Sequence, residues 1–157
     1  MRRPPGRSLA QQAFALRASF PAAHVQLSSH QLVWRAAITP TALSRDYTVS
    51  IAYRLARFPE VRVVAPALEC RPGESIPHLF SDESLCLHLD EEWSAGMLIV
   101  HTTVPWTSEW LFNYEIWLAT GTWHGGGEWP PTRQANSTPA SNMARSERRR
   151  TSRRRPR

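Results

Sequence analysis

Cysteine, histidine and carboxylate side chains crowd into one short stretch of this chain. His78, Cys86 and His88 fall within it, and Asp82, Glu83, Asp90, Glu91 and Glu92 surround the cysteine. Three chemistries can use such a set. A zinc site would draw on Cys70, His78, Cys86 and His88, but the spacing C-x7-H-x7-C-x-H lacks the closely paired ligands with which zinc ribbons and fingers begin. No metal and no cofactor is expected. A papain-like cysteine–histidine pair would take His78, His88, His101 or His124 as its base. Such partners meet in space rather than in sequence, so the choice stays open. The third chemistry is thioester carriage. It needs an accessible thiol beside a loop, room for an incoming flexible C-terminus, and a donor for the oxyanion of the transfer step. The acidic neighbours would raise the thiol pKa and limit stray reactivity, or attract a cationic acceptor. Most of them also read simply as solvated surface charge.

The elements around this stretch follow from pattern. Ser8 precedes Leu9, Ala13, Phe14, Leu16 and Phe20, which predicts a short amphipathic helix capped by Ser8 and stopped before Pro21. QLVWRAAIT reads as a strand. DYTVSIAYRL alternates Tyr47, Val49, Ile51, Tyr53 and Leu55 with period two, and VRVVA is a third strand ending at Pro66. Short links between consecutive strands favour an antiparallel meander. Residues 67–84 read as loop. LCLHL places Leu85, Leu87 and Leu89 on one side and Cys86 and His88 on the other, a short strand that turns the thiol away from the core. A helix through EWLFNYEIWLAT would start at Thr107 or Ser108 and end at Gly121. Trp93, Trp106, Trp110, Trp117 and Trp123 read mainly as core, with any exposed one offering a docking surface. WHGGGEWPP lacks the ending and the preceding strand of a phosphate loop.

Charge divides the chain. Residues 133–157 hold nine arginines against one glutamate, whereas residues 1–132 hold ten arginines against twelve acids. The basic segment is poor in apolar residues and predicts a disordered arginine-rich tail over 132–157, after a leader at 1–8 and a domain at 9–131. It suits an acidic partner or nucleic acid. All nineteen basic residues are arginine. Codon bias accounts for that, and a surface without lysine also offers no ε-amine to a reactive thioester. No apolar run is long enough for a membrane span and no export signal is read, so a cytoplasmic protein with two reduced thiols is expected.

Helix, strand meander, Pro-rich loop, PHLF, Cys86 eight residues after His78, and Trp93 seven further on form an order that resembles ubiquitin-conjugating enzymes. Their landmark is His-Pro-Asn followed by a Cys-Leu pair and a downstream tryptophan. "IPHLF…LCLHLDEEW…TVPWTSEWLFNYEIWLATGTWHGGG" looks more closely like their compact bacterial relatives in short type II cyclic-oligonucleotide-based antiphage signalling systems (CBASS). The resemblance covers roughly residues 9–127. It implies an α+β, UBC-like fold, an antiparallel meander of about four strands flanked by helices. It also implies a transferase whose nucleophile, Cys86, forms a thioester with the C-terminus of a partner cyclic-oligonucleotide synthase (CD-NTase), priming it for signalling. The His-Pro-Asn motif is not intact, because His78 occupies the place of the asparagine; a histidine there can donate to an oxyanion or stabilise the loop. No adenylating domain is read in the chain. Two other functions remain open: a non-catalytic module that binds the same synthase, and nucleic-acid binding through the tail.

Overall fold

The computed structural model describes residues 6–126. The arginine-rich tail and most of the leader lie outside the described residues. Helix α1 spans Leu9–Ser19, and four strands follow, β1 His24–Leu27, β2 Leu32–Ile38, β3 Tyr47–Tyr53 and β4 Glu60–Ala65, with helix α2 at Thr103–Thr120. The strands form one antiparallel sheet in the order β1-β2-β3-β4. This is the expected α+β meander, consistent with a UBC-like fold.

Ser8 caps α1 as its type predicts. Its Oγ accepts from Gln11 N at 3.2 Å, and Gln11 Oε1 accepts from Ser8 N at 2.9 Å, a reciprocal box that satisfies two otherwise orphaned donors. Leu9, Gln12, Ala13 and Leu16 form the buried face. Phe14 departs from the expected stripe and is 76% exposed. One residue advances a helix by about 100°, so a face centred on Ala13 cannot also bury Phe14. Phe20 lies beyond the helix and meets Trp34 edge-on at 5.4 Å.

Strand β3 buries Tyr47, Val49, Ile51 and Tyr53 while the residues between them are half-buried, so the period-two reading holds through Tyr53. It fails at Leu55, which lies past the strand and is exposed. Ala56 has φ 61°, and the chain turns there rather than extending. Strand β1 was not foreseen from the sequence. It is an edge strand with only Val25 partly buried, so it carries no alternating signal; its register with β2, Val25 opposite Trp34, makes it a strand.

LCLHL is not a strand. Leu85 forms a single bridge to Leu79, and its N–H reaches Val61 O at 2.9 Å. Beyond it the chain turns into a short 3-10 turn at Asp90–Glu92. Leu85 is buried, Leu87 is partly buried against the core, and Leu89 is exposed. The fourth strand of the meander is therefore β1.

Helix α2 starts at Thr103, earlier than expected. Pro105 falls in its first turn, where backbone N–H groups have no intrahelical acceptor, so the proline removes no helical hydrogen bond. Its end is as expected: Gly121 takes the left-handed conformation at φ 79° and its N–H reaches Trp117 O at 2.7 Å. α2 reaches the sheet through Tyr114, edge-on to Tyr47 at 6.4 Å, and through Glu115, which accepts from Tyr47 Oη at 3.0 Å. No helix among the described residues is long and apolar enough to cross a membrane.

Candidate functional site: a groove beside Cys86

Two local devices place Cys86. The first is a tight hairpin over residues 79–85. Phe80 N donates to Ser84 O at 2.8 Å and Glu83 N to Phe80 O at 2.9 Å. Asp82 Oδ1 accepts from the Ser84 hydroxyl at 2.6 Å and from its N–H at 3.1 Å, and Asp82 Oδ2 pairs with Arg62 at 3.0 Å. These bonds, the Ser84 hydroxyl first, hold the Asp82 carboxyl below its usual range. Asp82 is thus a turn-forming residue anchored to β4.

The second device is His78. Its backbone is left-handed, at φ 51°, and its side chain is 4% exposed. Its carbonyl accepts from Cys86 N at 2.9 Å and from Trp110 Nε1 at 3.0 Å. One carbonyl therefore joins the cysteine's backbone to α2. The His78 ring lies against Trp123 at 5.1 Å, tilted by 31°.

Cys86 is half-buried and lines a groove of about 420 Å³. His78 and Trp123 line it on one side, His88, Leu89 and Glu92 on another, and Trp106, Glu109, Trp110 and Asn113 come from α2. Gly125 and Gly126 close the rim. Gly125 is packed so tightly that a Cβ there would meet Trp123 Nε1 at 2.6 Å. Burial first, and then the charge of Asp90, push the Cys86 thiol above its ordinary range. Iodoacetamide should therefore alkylate Cys86 more slowly at pH 7 than it does an ordinary cysteine thiol. Asp90→Asn removes a negative charge that disfavours the thiolate, so it should speed alkylation by roughly two- to threefold. Peptide mass mapping resolves Cys86 from Cys70, and an unchanged or slower rate in Asp90→Asn would refute the electrostatic account.

The structure sorts the other sequence candidates. His78 and His88 line the groove with Cys86; His101 and His124 do not, and both are exposed. Cys70 is exposed and lies off the groove. No three His, Cys, Asp or Glu side chains converge as a ligand set among the described residues. Of the five acids, Glu92 faces the groove, with Oε2 also accepting from Leu89 N at 2.7 Å. Glu109 and Asn113 were missed by sequence reasoning. The signal was present: Trp106, Glu109, Trp110 and Asn113 fall at i, i+3, i+4 and i+7, one face of a helix. Trp106 and Trp123 are half-buried groove walls, Trp93 and Trp117 are core, and Trp110 is buried in the core while it also lines the groove.

A family model described as "Type II CBASS E2 protein" matches residues 12–131. A comparison with curated proteins finds no match.

Proposed function

Because the chain belongs to the type II CBASS E2 protein family, we propose that Cys86 carries the C-terminal acyl group of a partner cyclic-oligonucleotide synthase as a thioester and passes it to an amine, priming the synthase. The observation that supports this most is the position of Cys86. It is half-buried, backbone-pinned by His78 and open to a groove of about 420 Å³. In the loading step the thiol attacks an activated carbonyl, a C–S bond forms, and the activating group leaves. Activation is supplied by another component. The raised thiol pKa limits stray reactivity of Cys86, while the activated acyl group supplies the driving force for loading. In this mechanism His78 serves as the donor to the tetrahedral oxygen. Residues 9–131 act as the working domain, in the cytoplasm, and 132–157 as a basic accessory segment toward an acidic partner or nucleic acid.

Co-expression with the neighbouring synthase tests this on gels run with and without reductant. A thiol-sensitive adduct is expected that is lost in Cys86→Ala and kept in Cys70→Ala. If no adduct forms and Cys86→Ala still supports phage defence, the protein is a binding module for the synthase and the covalent reading is wrong.

A further inference from the structure

His88 is an ionisable groove side chain whose orientation is fixed by specific contacts. Its ring meets Phe58 edge-on at 5.4 Å and lies tilted against Trp106 at 5.3 Å. Nδ1 lies 2.8 Å from Leu89 O. A carbonyl only accepts, so in the neutral ring Nδ1 carries the hydrogen and Nε2 keeps the lone pair. The imidazole is thus oriented by a backbone bond and two aromatic contacts, one edge-on and one tilted, two residues from Cys86 and on the same groove. His78, by contrast, is 4% exposed and packed against Trp123.

Resting on the thioester reading above, we infer that His88 is the proton-transfer residue of the discharge step. The neutral amine attacks the thioester carbonyl, a C–N bond forms, and the C–S bond breaks with its electron pair going to Sγ. The proton leaving the amine nitrogen passes to His88 Nε2 and then to Sγ. An amide, a thiol and a neutral imidazole result, with no oxidant or reductant required. Glu92 from the 3-10 turn and Glu109 from α2 line the same groove, with Cys86 and His78 as its other titratable groups besides His88; the Phe58 loop contributes none to it. Both carboxylates favour a cationic amine at the groove mouth before it loses its proton to solvent.

The test loads Cys86 by thiol exchange with a synthetic peptide ending in a glycine thioester of mercaptoethanesulfonate, followed by intact mass. Free lysine then discharges the thioester in a single turnover. His88→Asn keeps a donor for Leu89 O and lacks the Nε2 lone pair, and His88→Gln carries an amide further out. Both should load as the wild type does and discharge about 100-fold more slowly. Discharge by His88→Asn at the wild-type rate would reduce His88 to its bond with Leu89 and overturn the inference. So would failure of both variants to load together with a lowered Tm. If the wild type itself does not load at Cys86, the thioester reading fails, and this inference with it.

Discussion

Gln12→Leu is expected to destabilise the protein by about 2–3 kcal/mol, although leucine matches the apolar face of α1 better than glutamine does. Gln12 is fully buried. Its Oε1 accepts from Ile99 N at 2.9 Å and its Nε2 donates to Met97 O at 2.8 Å. The side chain therefore ties α1 to the segment entering α2. Leucine fills the same space and serves neither group. The two losses are unequal. Met97 is exposed, so water can reach its carbonyl, whereas Ile99 is fully buried and its N–H is left unpaired. An unpaired buried donor costs about 1–3 kcal/mol, and this term dominates. For a domain of this size, thermal unfolding should show a midpoint lower by roughly 10 °C. Gln12→Glu separates the two bonds. It keeps the acceptor for Ile99 N but turns a carboxylate oxygen toward Met97 O. Burial favours the neutral form, so the folded-state pKa of the new carboxyl lies above its unfolded value. The destabilisation is then fully present at neutral pH and recedes as the pH falls through that raised pKa, where the protonated carboxyl donates to Met97 O. A leucine variant as stable as the wild type would show that the two bonds contribute nothing net.

Much of this fold can be read along the chain, and the failures share a cause. Ser8 and Gln11 announce their capping box because both partners are local. Tyr47, Val49, Ile51 and Tyr53 announce β3 because one face of a central strand is fully buried. β1 announces nothing, since an edge strand with one half-buried valine is held by backbone pairing alone. LCLHL misleads for the opposite reason. Its leucines alternate, yet only Leu85 is paired, and the pattern beyond it belongs to a groove wall and a turn. At the site, Cys86 and His78 stand out by type and spacing. Glu109, Asn113 and the groove-lining side of Trp106 depend on how α2 crosses the cysteine, which is tertiary information. The tryptophan-rich face of α2 reads as core from periodicity alone, because a helix face lining a groove and one filling an interior have the same period.

The hydrogen bond from Trp110 to His78 carries the second large prediction. Trp110 is 4% exposed, stacks on Tyr114 at 5.6 Å with nearly parallel rings, and lines the groove. Trp110→Ala removes this packing and should cost about 3–5 kcal/mol, a large share of the stability of such a domain. That variant cannot separate folding from function, so Trp110→Phe is the informative one. Phenylalanine keeps an aromatic face toward Tyr114 but loses the N–H and part of the indole ring, which leaves a small void. The carbonyl of His78 still receives Cys86 N, so the stability cost, lost bond and void together, should stay at about 2–3 kcal/mol. The local consequence is larger. His78 holds a left-handed backbone that disfavours a non-glycine residue by roughly 1–2 kcal/mol, and the two hydrogen bonds to its carbonyl oppose relaxation. With one removed, the loop opens more often and the Cys86 N–H loses protection. Amide exchange at Cys86 should accelerate about tenfold in Trp110→Phe while the β3 amides keep wild-type rates at matched stability. The yield of the reductant-sensitive adduct should fall with it, because the thiol is then held less firmly toward the groove. Wild-type exchange at Cys86 in this variant would mean that α2 does not hold the cysteine through His78. The positioning would then rest on the 79–85 hairpin and its Arg62–Asp82 anchor alone.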